Sequence, residues 1–163
     1  MKNSTILIIF TVLVILLITF RKPINMAISR GYKNNNPGNI RLTFDSTGKK
    51  TLWKGEIEGT DKAFKKFKSM AYGYRAMFIT LTSYLSKGVN TIEKIISRYA
   101  PSNENDTTSY INTVSRKSGI ESNRVITSDD QLQRLIIAMS FVENGVSADA
   151  NEVVKGYELF KFS

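Results

Sequence analysis

The chain has 163 residues, with 23 Lys and Arg against 14 Asp and Glu for a formal net charge of +9, and it contains neither Cys nor His. The absence of Cys excludes disulfides, thiolate nucleophiles and Cys-ligated metals, and the absence of His excludes Ser-His-Asp triads and His-ligated zinc. Acid–base catalysis would therefore use Asp, Glu, Lys or Tyr. We expect no metal site and no cofactor. The length of the chain suits one domain.

The first apolar segment is residues 4–20, which contains 17 residues and no charge. As a helix this segment rises about 25 Å, which is close to the lower limit for crossing a bilayer. No small-residue cleavage site follows it, so residues 1–22 are predicted to form an uncleaved, single-pass transmembrane anchor. A secretory signal peptide that is cut near Ala27 is the alternative.

A basic segment follows the predicted anchor. Residues 21–33 contain four Lys or Arg and no acid, and residues 23–33 are predicted to be a basic linker in which Pro23 disfavours a continuing helix. Residues 34–163 carry 18 basic and 14 acidic residues, a net charge of only +4. They lack the dense basic clusters and recognition motifs of nucleic-acid binders, so we expect no specific nucleic-acid partner. A moderate positive charge still suits an acidic polymer, of which bacterial cell wall is one and nucleic acid is another.

Hydrophobic periodicity predicts an α+β, mainly α domain over residues 34–163, with a small β-hairpin lobe. Apolar alternation around the turn at residues 46–48 predicts a hairpin between Ile40 and Asp61. Phe64 lies three residues before the next Phe, which favours a short helix that Asp61 would cap. Helical spacing then predicts five helices, over about residues 71–87, 92–99, 106–118, 128–144 and 148–160.

The segment of residues 31–41 reads GYKNNNPGNIR, which is a highly unusual string. It resembles the NNPGNIR signature of phage and prophage structural proteins with a lysozyme-like fold. The resemblance covers almost the whole of residues 34–163, through the motifs Trp53-x-Gly55, Asp61-x-x-Phe64-x-x-Phe67, Gly73-Tyr74-Arg75-Ala76, Ile95-Ile96-x-Arg98-Tyr99-Ala100-Pro101, Thr107-x-x-Tyr110 and Glu143-Asn144-Gly145. It implies a lysozyme-like domain in a murein-degrading virion protein.

The resemblance also implies partners and a location. Bacterial peptidoglycan is the implied substrate, other virion proteins are implied partners, and the predicted anchor would contact a lipid membrane. The protein would then be a single-pass component of the virion membrane or of the host inner membrane. The anchor is a departure from the usual soluble member of this family.

Glu143 is the predicted acid catalyst. Residues 135–145 read LIIAMSFVENG, an apolar helix that ends in Glu143 and an Asn-Gly turn. In goose-type lysozymes and lytic transglycosylases, the catalytic Glu similarly ends a buried helix. Apolar neighbours and the negative end of the helix dipole would both raise the pKa of this carboxyl group, as a general acid requires. A solvated glutamate at a helix end is the alternative.

The order of the motifs predicts a circular permutation. In those enzymes the catalytic Glu precedes the glycan-binding segment and the Thr-x-x-Tyr helix, whereas here Glu143 comes last. Glu104 is the second catalytic candidate, although it can instead interact with the start of the following helix. The matching segments predict the substrate-binding residues, which are Asn36, Gly38, Asn39, Arg41, Tyr99 and Tyr110. Asn36 and its neighbours can equally form a turn, and Tyr99 can equally belong to the core.

Several functions stay open from the sequence. The favoured one is a membrane-anchored phage virion enzyme that cleaves the glycan strand of peptidoglycan by Glu acid–base catalysis, as a lytic transglycosylase or a lysozyme-type hydrolase, for cell-wall penetration. A structural or glycan-binding virion protein of the same fold without catalysis is the alternative. Against a membrane-attached protein that contacts packaged nucleic acid, the sequence lacks the basic-aromatic motifs of that class. Against a zinc or thiol peptidase, the sequence lacks the His or Cys that this chemistry needs.

Overall fold

The computed structural model describes residues 28–103 and 106–162 of the 163-residue chain. The predicted anchor, residues 23–27 of the predicted linker and Glu104 therefore lie outside the described residues. Within the described ranges, no helix has the length and hydropathy that a membrane span needs.

Six helices and one two-stranded sheet make up the described part of the chain. The helices are α1 (Arg30–Lys33), α2 (Met70–Leu85), α3 (Ile92–Tyr99), α4 (Thr107–Ser118), α5 (Asp129–Asn144) and α6 (Ala150–Lys161), and the strands are β1 (Glu56–Ile57) and β2 (Lys66–Phe67). The prediction of a mainly helical fold with a small β-hairpin is confirmed. Helices α2 to α6 lie where the spacing of apolar residues predicted them.

The ends of the helices follow their capping residues. Thr91, Asp106 and Ser128 each precede a helix, and the side chain of each accepts a hydrogen bond from a backbone N–H in the first turn. Gly119 and Gly145 end α4 and α5 in the left-handed conformation, with φ of 66° and 71°. Glycine adopts this conformation without a steric penalty, so these positions are natural helix ends.

The core lies where α2 packs against α5 and α6. Tyr74, Met77 and Phe78 on α2 are completely buried, as are Leu135 and Ile136 on α5. Burial of one large apolar side chain contributes about 1.5–3 kcal/mol. The apolar face of α2 therefore fixes α5, the helix that ends at the candidate site.

The β-hairpin lobe, residues 41–68, differs in detail from the predicted hairpin. Strands β1 and β2 pair antiparallel, with Glu56 opposite Phe67. The turn at residues 46–48 carries one isolated bridge between the flanking residues. That segment is a tight turn, and the two-stranded ladder forms later in the chain than the alternation predicted.

The predicted short helix after Asp61 is wrong. Asp61 Oδ1 accepts hydrogen bonds from the backbone N–H groups of Ala63 and Phe64 at 3.0 and 3.1 Å, which closes a turn, and the chain then continues into β2. Lys65 and Phe67 are completely buried, whereas the residue between them is partly exposed. This two-residue period is typical of a strand, and a buried lysine conceals it in the sequence.

A buried ion pair holds the lobe together. Lys65 Nζ lies 2.7 Å from Glu56 Oε2, and both side chains are 0% exposed. Lys65 Nζ also donates to Thr51 O at 3.0 Å, and Lys50 Nζ lies 3.0 Å from Glu56 Oε1. Glu56 Oε2 accepts a further hydrogen bond from the backbone N–H of Trp53 at 3.0 Å. This network therefore fixes the part of the lobe that carries Trp53.

Residues 30–33, which the sequence analysis assigns to the basic linker, form α1 and pack against the domain. The Ser29 hydroxyl accepts a hydrogen bond from Tyr32 N and donates to Asn144 Oδ1 at 2.7 Å. Gly31 approaches the same side chain so closely that a Cβ there would lie 2.2 Å from Asn144 Oδ1. The packed part of the chain therefore includes residues before position 34.

Candidate active site

One side chain joins the last turn of α5 to the loop of residues 34–39. Asn144 Nδ2 donates to Pro37 O and to Ser140 O, both at 2.8 Å. Helix α5 ends directly after this residue. Glu143, the residue before Asn144, is thereby placed against the loop.

The loop of residues 34–39 contains two asparagines in an uncommon backbone conformation. Asn35 and Asn39 have φ of 48° and 46°, a left-handed region that Asn tolerates better than most residues. Asn36 is 0% exposed, and its side-chain amide donates to two backbone carbonyls and accepts from Ile40 N at distances of 2.8 to 2.9 Å. These three hydrogen bonds all join the Asn36 amide to the backbone, so this side chain supports the loop from inside and lines neither of the two clefts described below.

Glu143 receives a hydrogen bond on each carboxyl oxygen. Asn39 Nδ2 donates to Oε2 and the Tyr110 hydroxyl donates to Oε1, both at 2.8 Å. Burial raises the pKa of Glu143, these two hydrogen bonds lower it, and the resulting pKa lies above the ordinary value. A carboxyl group with a raised pKa and a fixed orientation is suited to giving a proton to a bound substrate.

Two tyrosines beside Glu143 act as neutral hydrogen-bond donors. Burial, and after it the charge of Glu143, holds the pKa of Tyr99 and of Tyr110 well above the usual range. The Tyr99 hydroxyl donates to Gly38 O, and a Cβ on Gly38 would lie 2.6 Å from the Tyr99 hydroxyl oxygen. Glycine at this position therefore lets the loop approach Tyr99.

Two adjoining clefts open next to Glu143. The first, which we call the Glu143 cleft, has a volume of about 250 Å³ and is lined by Gly38, Asn39, Arg41, Phe64, Tyr99, Ala100 and Glu143. The second, the Trp53 cleft, has a volume of about 430 Å³ and is lined by Asn39, Ile40, Arg41, Thr43, Trp53, Thr80, Tyr84, Arg98, Tyr99 and Pro101. The clefts share Asn39, Arg41 and Tyr99, so they form one groove beside the hairpin lobe.

Glu143 is the single carboxylate that lines this groove within residues 28–103 and 106–162. Aromatic walls with a few polar groups are typical of ligand-binding clefts. In the same described ranges, no group of three or more acidic side chains is placed to hold a metal ion. The arrangement therefore offers one titratable carboxyl group at the end of an aromatic groove that also contains guanidinium groups.

The structure brings most of the predicted site residues together, although the loop and Glu143 are about a hundred positions apart in the chain. Those that line the groove or contact Glu143 are Gly38, Asn39, Arg41, Tyr99 and Tyr110. Asn36 lies inside the loop instead, for the reason given above, and Glu104 lies outside the described residues.

Trp53, Tyr84 and Arg98 are among the groove residues that were not predicted to belong to the site. Trp53 comes from the lobe, Tyr84 from α2 and Arg98 from α3, and only the fold brings them to one cleft. Trp53 and Arg98 do occur in the motifs that carry the family resemblance, and this is the signal that could have identified them.

No protein-family model matches the chain. The sequence is 41% identical over 142 residues to Protein P5 of Pseudoalteromonas phage PM2, and the aligned region covers 85% of this chain and 86% of the phage protein. Identity at this level over most of both chains indicates common descent. This chain therefore belongs to the family of phage PM2 Protein P5.

Proposed function

We propose that this protein is a membrane-anchored phage virion enzyme that cleaves the glycan strand of peptidoglycan, so that the phage can penetrate the cell wall. The observation that carries the proposal is Glu143, a partly buried carboxyl group with a raised pKa that faces an open groove between Asn39 and Tyr110. The relation to a bacteriophage protein supports a role in a virion. The apolar segment within residues 1–22 supports attachment to the virion membrane or to the host inner membrane.

Glu143 acts as the general acid in this proposal. Its protonated carboxyl group gives a proton to the glycosidic oxygen while the bond between that oxygen and the anomeric carbon breaks. Asn39 and Tyr110 hold the carboxyl oxygens in place, and their hydrogen bonds stabilise the carboxylate that proton transfer leaves behind. General acid–base catalysis of this kind contributes about a hundredfold to ten-thousandfold in rate.

The groove favours a lytic transglycosylase over a lysozyme-type hydrolase. In a transglycosylase, a hydroxyl group of the substrate itself attacks the anomeric carbon, and the Glu143 carboxylate takes the proton of that hydroxyl, which restores the acid. One carboxyl group is then sufficient for the reaction, and Glu143 is the one carboxyl group among the described residues that line the groove. A hydrolase needs a second carboxylate to activate water or to form a covalent intermediate, and Glu104, outside the described residues, stays the candidate for that role.

The experiment is digestion of purified peptidoglycan by the full-length protein, followed by mass spectrometry of the products. Anhydro-muramyl ends identify a transglycosylase and reducing ends a hydrolase, whereas free peptide would contradict glycan cleavage. We expect Glu143→Gln to lower the rate of product release by about a hundredfold or more. Glu158→Gln is the matched control, because Glu158 is an exposed residue of α6 that lines neither cleft. Binding of peptidoglycan without any cleavage would instead indicate a structural or glycan-binding protein.

A further inference from the structure

The excess positive charge of the domain is concentrated in the hairpin lobe. Residues 41–68 contain eight Lys and Arg and four Asp and Glu, whereas the rest of residues 34–163 contains ten of each. The lobe supplies Arg41, Thr43 and Trp53 to the lining of the Trp53 cleft. The cleft therefore lies beside the most positively charged part of the domain, which favours the approach of an anionic ligand.

Arg98 adds a guanidinium group to the cleft from another element. It is an exposed residue in the last turn of α3, and its guanidinium carbon lies 5.0 Å from the centre of the Tyr84 ring. It forms no ion pair with a residue of the described ranges. Stacking on an aromatic ring orders a guanidinium group and leaves its N–H groups available at the edge of the plane.

The chemistry of this lining matches a carboxylate better than a neutral sugar alone. Aromatic rings and amides are sufficient to hold a neutral sugar, and Trp53, Tyr84 and Asn39 provide them. A guanidinium group is the side chain whose geometry suits a planar carboxylate, because its N–H groups can form two parallel hydrogen bonds. The described lining of the Trp53 cleft contains no Asp or Glu that would repel such a ligand.

We propose that the Trp53 cleft binds a carboxylate-bearing substituent of the glycan, and that Arg98 contacts this carboxylate. The inference rests on the proposed cleavage of peptidoglycan and specifies its substrate. Peptidoglycan differs from chitin because it carries carboxylates, either on its stem peptides or on the muramyl lactyl group after a peptide has been removed. The protein selects glycan that carries these groups, and Glu143 in the adjoining cleft cuts the strand beside them.

The structural contribution of Arg98 has to be separated from ligand binding. A cation in the last turn of a helix interacts favourably with the helix dipole, so loss of Arg98 also weakens α3. Lys94 is the control for net charge, because it is exposed on the same helix and lines neither cleft, but it lies in the first turn, where a cation gains nothing from the helix dipole. Arg98→Lys provides a second variant, which keeps the charge but loses the planar fork of donors.

The test measures ligand binding by the full-length Glu143→Gln protein, which leaves its ligand uncleaved. Three soluble probes of equal sugar length are compared at one salt concentration: peptide-bearing peptidoglycan fragments, the same fragments after an amidase has removed the peptides, and neutral chitooligosaccharides. We expect at least one carboxylate-bearing probe to bind about fivefold tighter than the neutral probe, as for one solvent-accessible ion pair. Preference for the first probe assigns stem-peptide carboxylates, and preference for the second assigns the lactyl carboxylate.

Added Arg98→Gln should abolish this preference, so that its affinity for the preferred carboxylate-bearing probe falls by about fivefold more than its affinity for chitooligosaccharide. Added Lys94→Gln should keep the preference. Arg98→Lys should reduce the preference for carboxylate-bearing probes. This variant still tests the inference if Arg98→Gln melts at a much lower temperature than the parent protein. Equal affinity of the Glu143→Gln protein for all three probes would overturn the inference. An added Arg98→Gln substitution that lowers the affinity equally for all probes would also overturn it. Cleavage is judged separately: peptidoglycan left intact by the unmodified protein refutes the proposed function, while a carboxylate preference in binding still supports the cleft assignment.

Discussion

The side-chain amide of Asn144 donates to the backbone oxygen of Pro37 at 2.8 Å, across 107 positions of the chain. This bond joins the end of α5 to the loop of residues 34–39, and it brings the adjacent Glu143 and Asn39 within hydrogen-bond distance of each other. The candidate active site is therefore assembled by a contact that does not involve the carboxyl group itself. Loss of this contact should affect both the stability of the fold and the position of Glu143.

Asn144→Ala tests this relationship. The substitution removes the partly buried hydrogen bonds that Asn144 makes with Pro37, Ser140 and Ser29. Removing one partner leaves the other buried polar groups without a hydrogen bond, which costs about 1–3 kcal/mol. We therefore expect chemical denaturation to show a decrease of that size in the free energy of unfolding. Asn151→Ala, at an exposed position of α6, should change it by less than about 0.5 kcal/mol. Equal losses in the two variants would refute the special role of Asn144.

Glu56 is expected to be a structural residue and not a second catalytic carboxylate. Burial by itself raises the pKa of Glu56, but hydrogen bonds from Lys65, from the Trp53 backbone N–H and from Lys50 together hold it below the ordinary value. A carboxyl group whose pKa falls on folding contributes stability at pH values above its unfolded pKa. This contribution is lost as the pH falls through the folded pKa.

Glu56→Gln should therefore destabilise the protein strongly at neutral pH. It removes one partner of a buried ion pair and leaves the Lys65 ammonium uncompensated, which costs about 3–5 kcal/mol. The difference from the unmodified protein should shrink in acid, where Glu56 itself becomes protonated. Urea denaturation at neutral and acidic pH measures both effects. Glu58→Gln, two residues away at an exposed position, is the matched control, and a loss as large in that variant would rule out the ion pair as the cause.

The helices were predictable from the sequence because their signals are local. Ser128 forms a capping box at the start of α5, and Gly145 ends the same helix in the left-handed conformation. Both signals depend on residues within one turn of the helix end. The spacing of apolar residues between them does not depend on the rest of the fold either.

The hairpin lobe and the Trp53 cleft were not predictable in the same way, because they depend on contacts between distant segments of the chain. The strand at β2 is concealed by the buried Lys65, whose burial makes sense only once Glu56 is known to neutralise it. Glu143 and its loop were proposed from local motifs, the apolar helix that ends in Glu143-Asn144-Gly145 and the string of residues 31–41. Tyr84 and Arg98 were not, since they lie on α2 and α3 and meet only in the folded domain.

Tyr110→Phe should shift the pH dependence of catalysis. The substitution keeps the ring and removes the hydroxyl group that donates to Glu143 Oε1 at 2.8 Å. That hydrogen bond lowers the pKa of Glu143, so its loss raises the pKa further. A general acid works only while it is protonated, and the alkaline limb of the pH–rate profile follows its pKa.

We therefore expect the alkaline limb of peptidoglycan cleavage to move to higher pH in Tyr110→Phe, with a lower maximal rate because the carboxyl group is less well oriented. Rates of product release across a pH series measure the shift. Tyr72→Phe is the control, since Tyr72 is a partly buried residue of α2 that lines neither cleft, and its profile should match that of the unmodified protein. Movement of the limb to lower pH in Tyr110→Phe would disprove the hydrogen-bond argument.

Glu143 itself should make the fold less stable at neutral pH. Burial raises its pKa above the ordinary value of 4.5, so the folded protein holds this proton more tightly than the unfolded chain does. The contribution of the group to stability is fully present below the unfolded pKa and is lost as the pH rises through the folded pKa. When ionised, the carboxylate also faces the negative end of the α5 dipole.

Glu143→Gln should consequently raise the melting temperature at neutral pH while it lowers the rate of peptidoglycan cleavage by about a hundredfold or more. The site can accept the amide, because its oxygen can take the hydrogen bond from Tyr110 and its NH₂ group can donate to Asn39 Oδ1 after rotation of that side chain. Asn39 Oδ1 is buried and has no hydrogen-bond partner among the described residues. Thermal melting and cleavage are measured on the same preparations, with Glu158→Gln expected to change neither. A Glu143→Gln protein that cleaves at a near-normal rate would exclude Glu143 as the acid, and a lower melting temperature at neutral pH would show that its ionised form is stabilised in the fold.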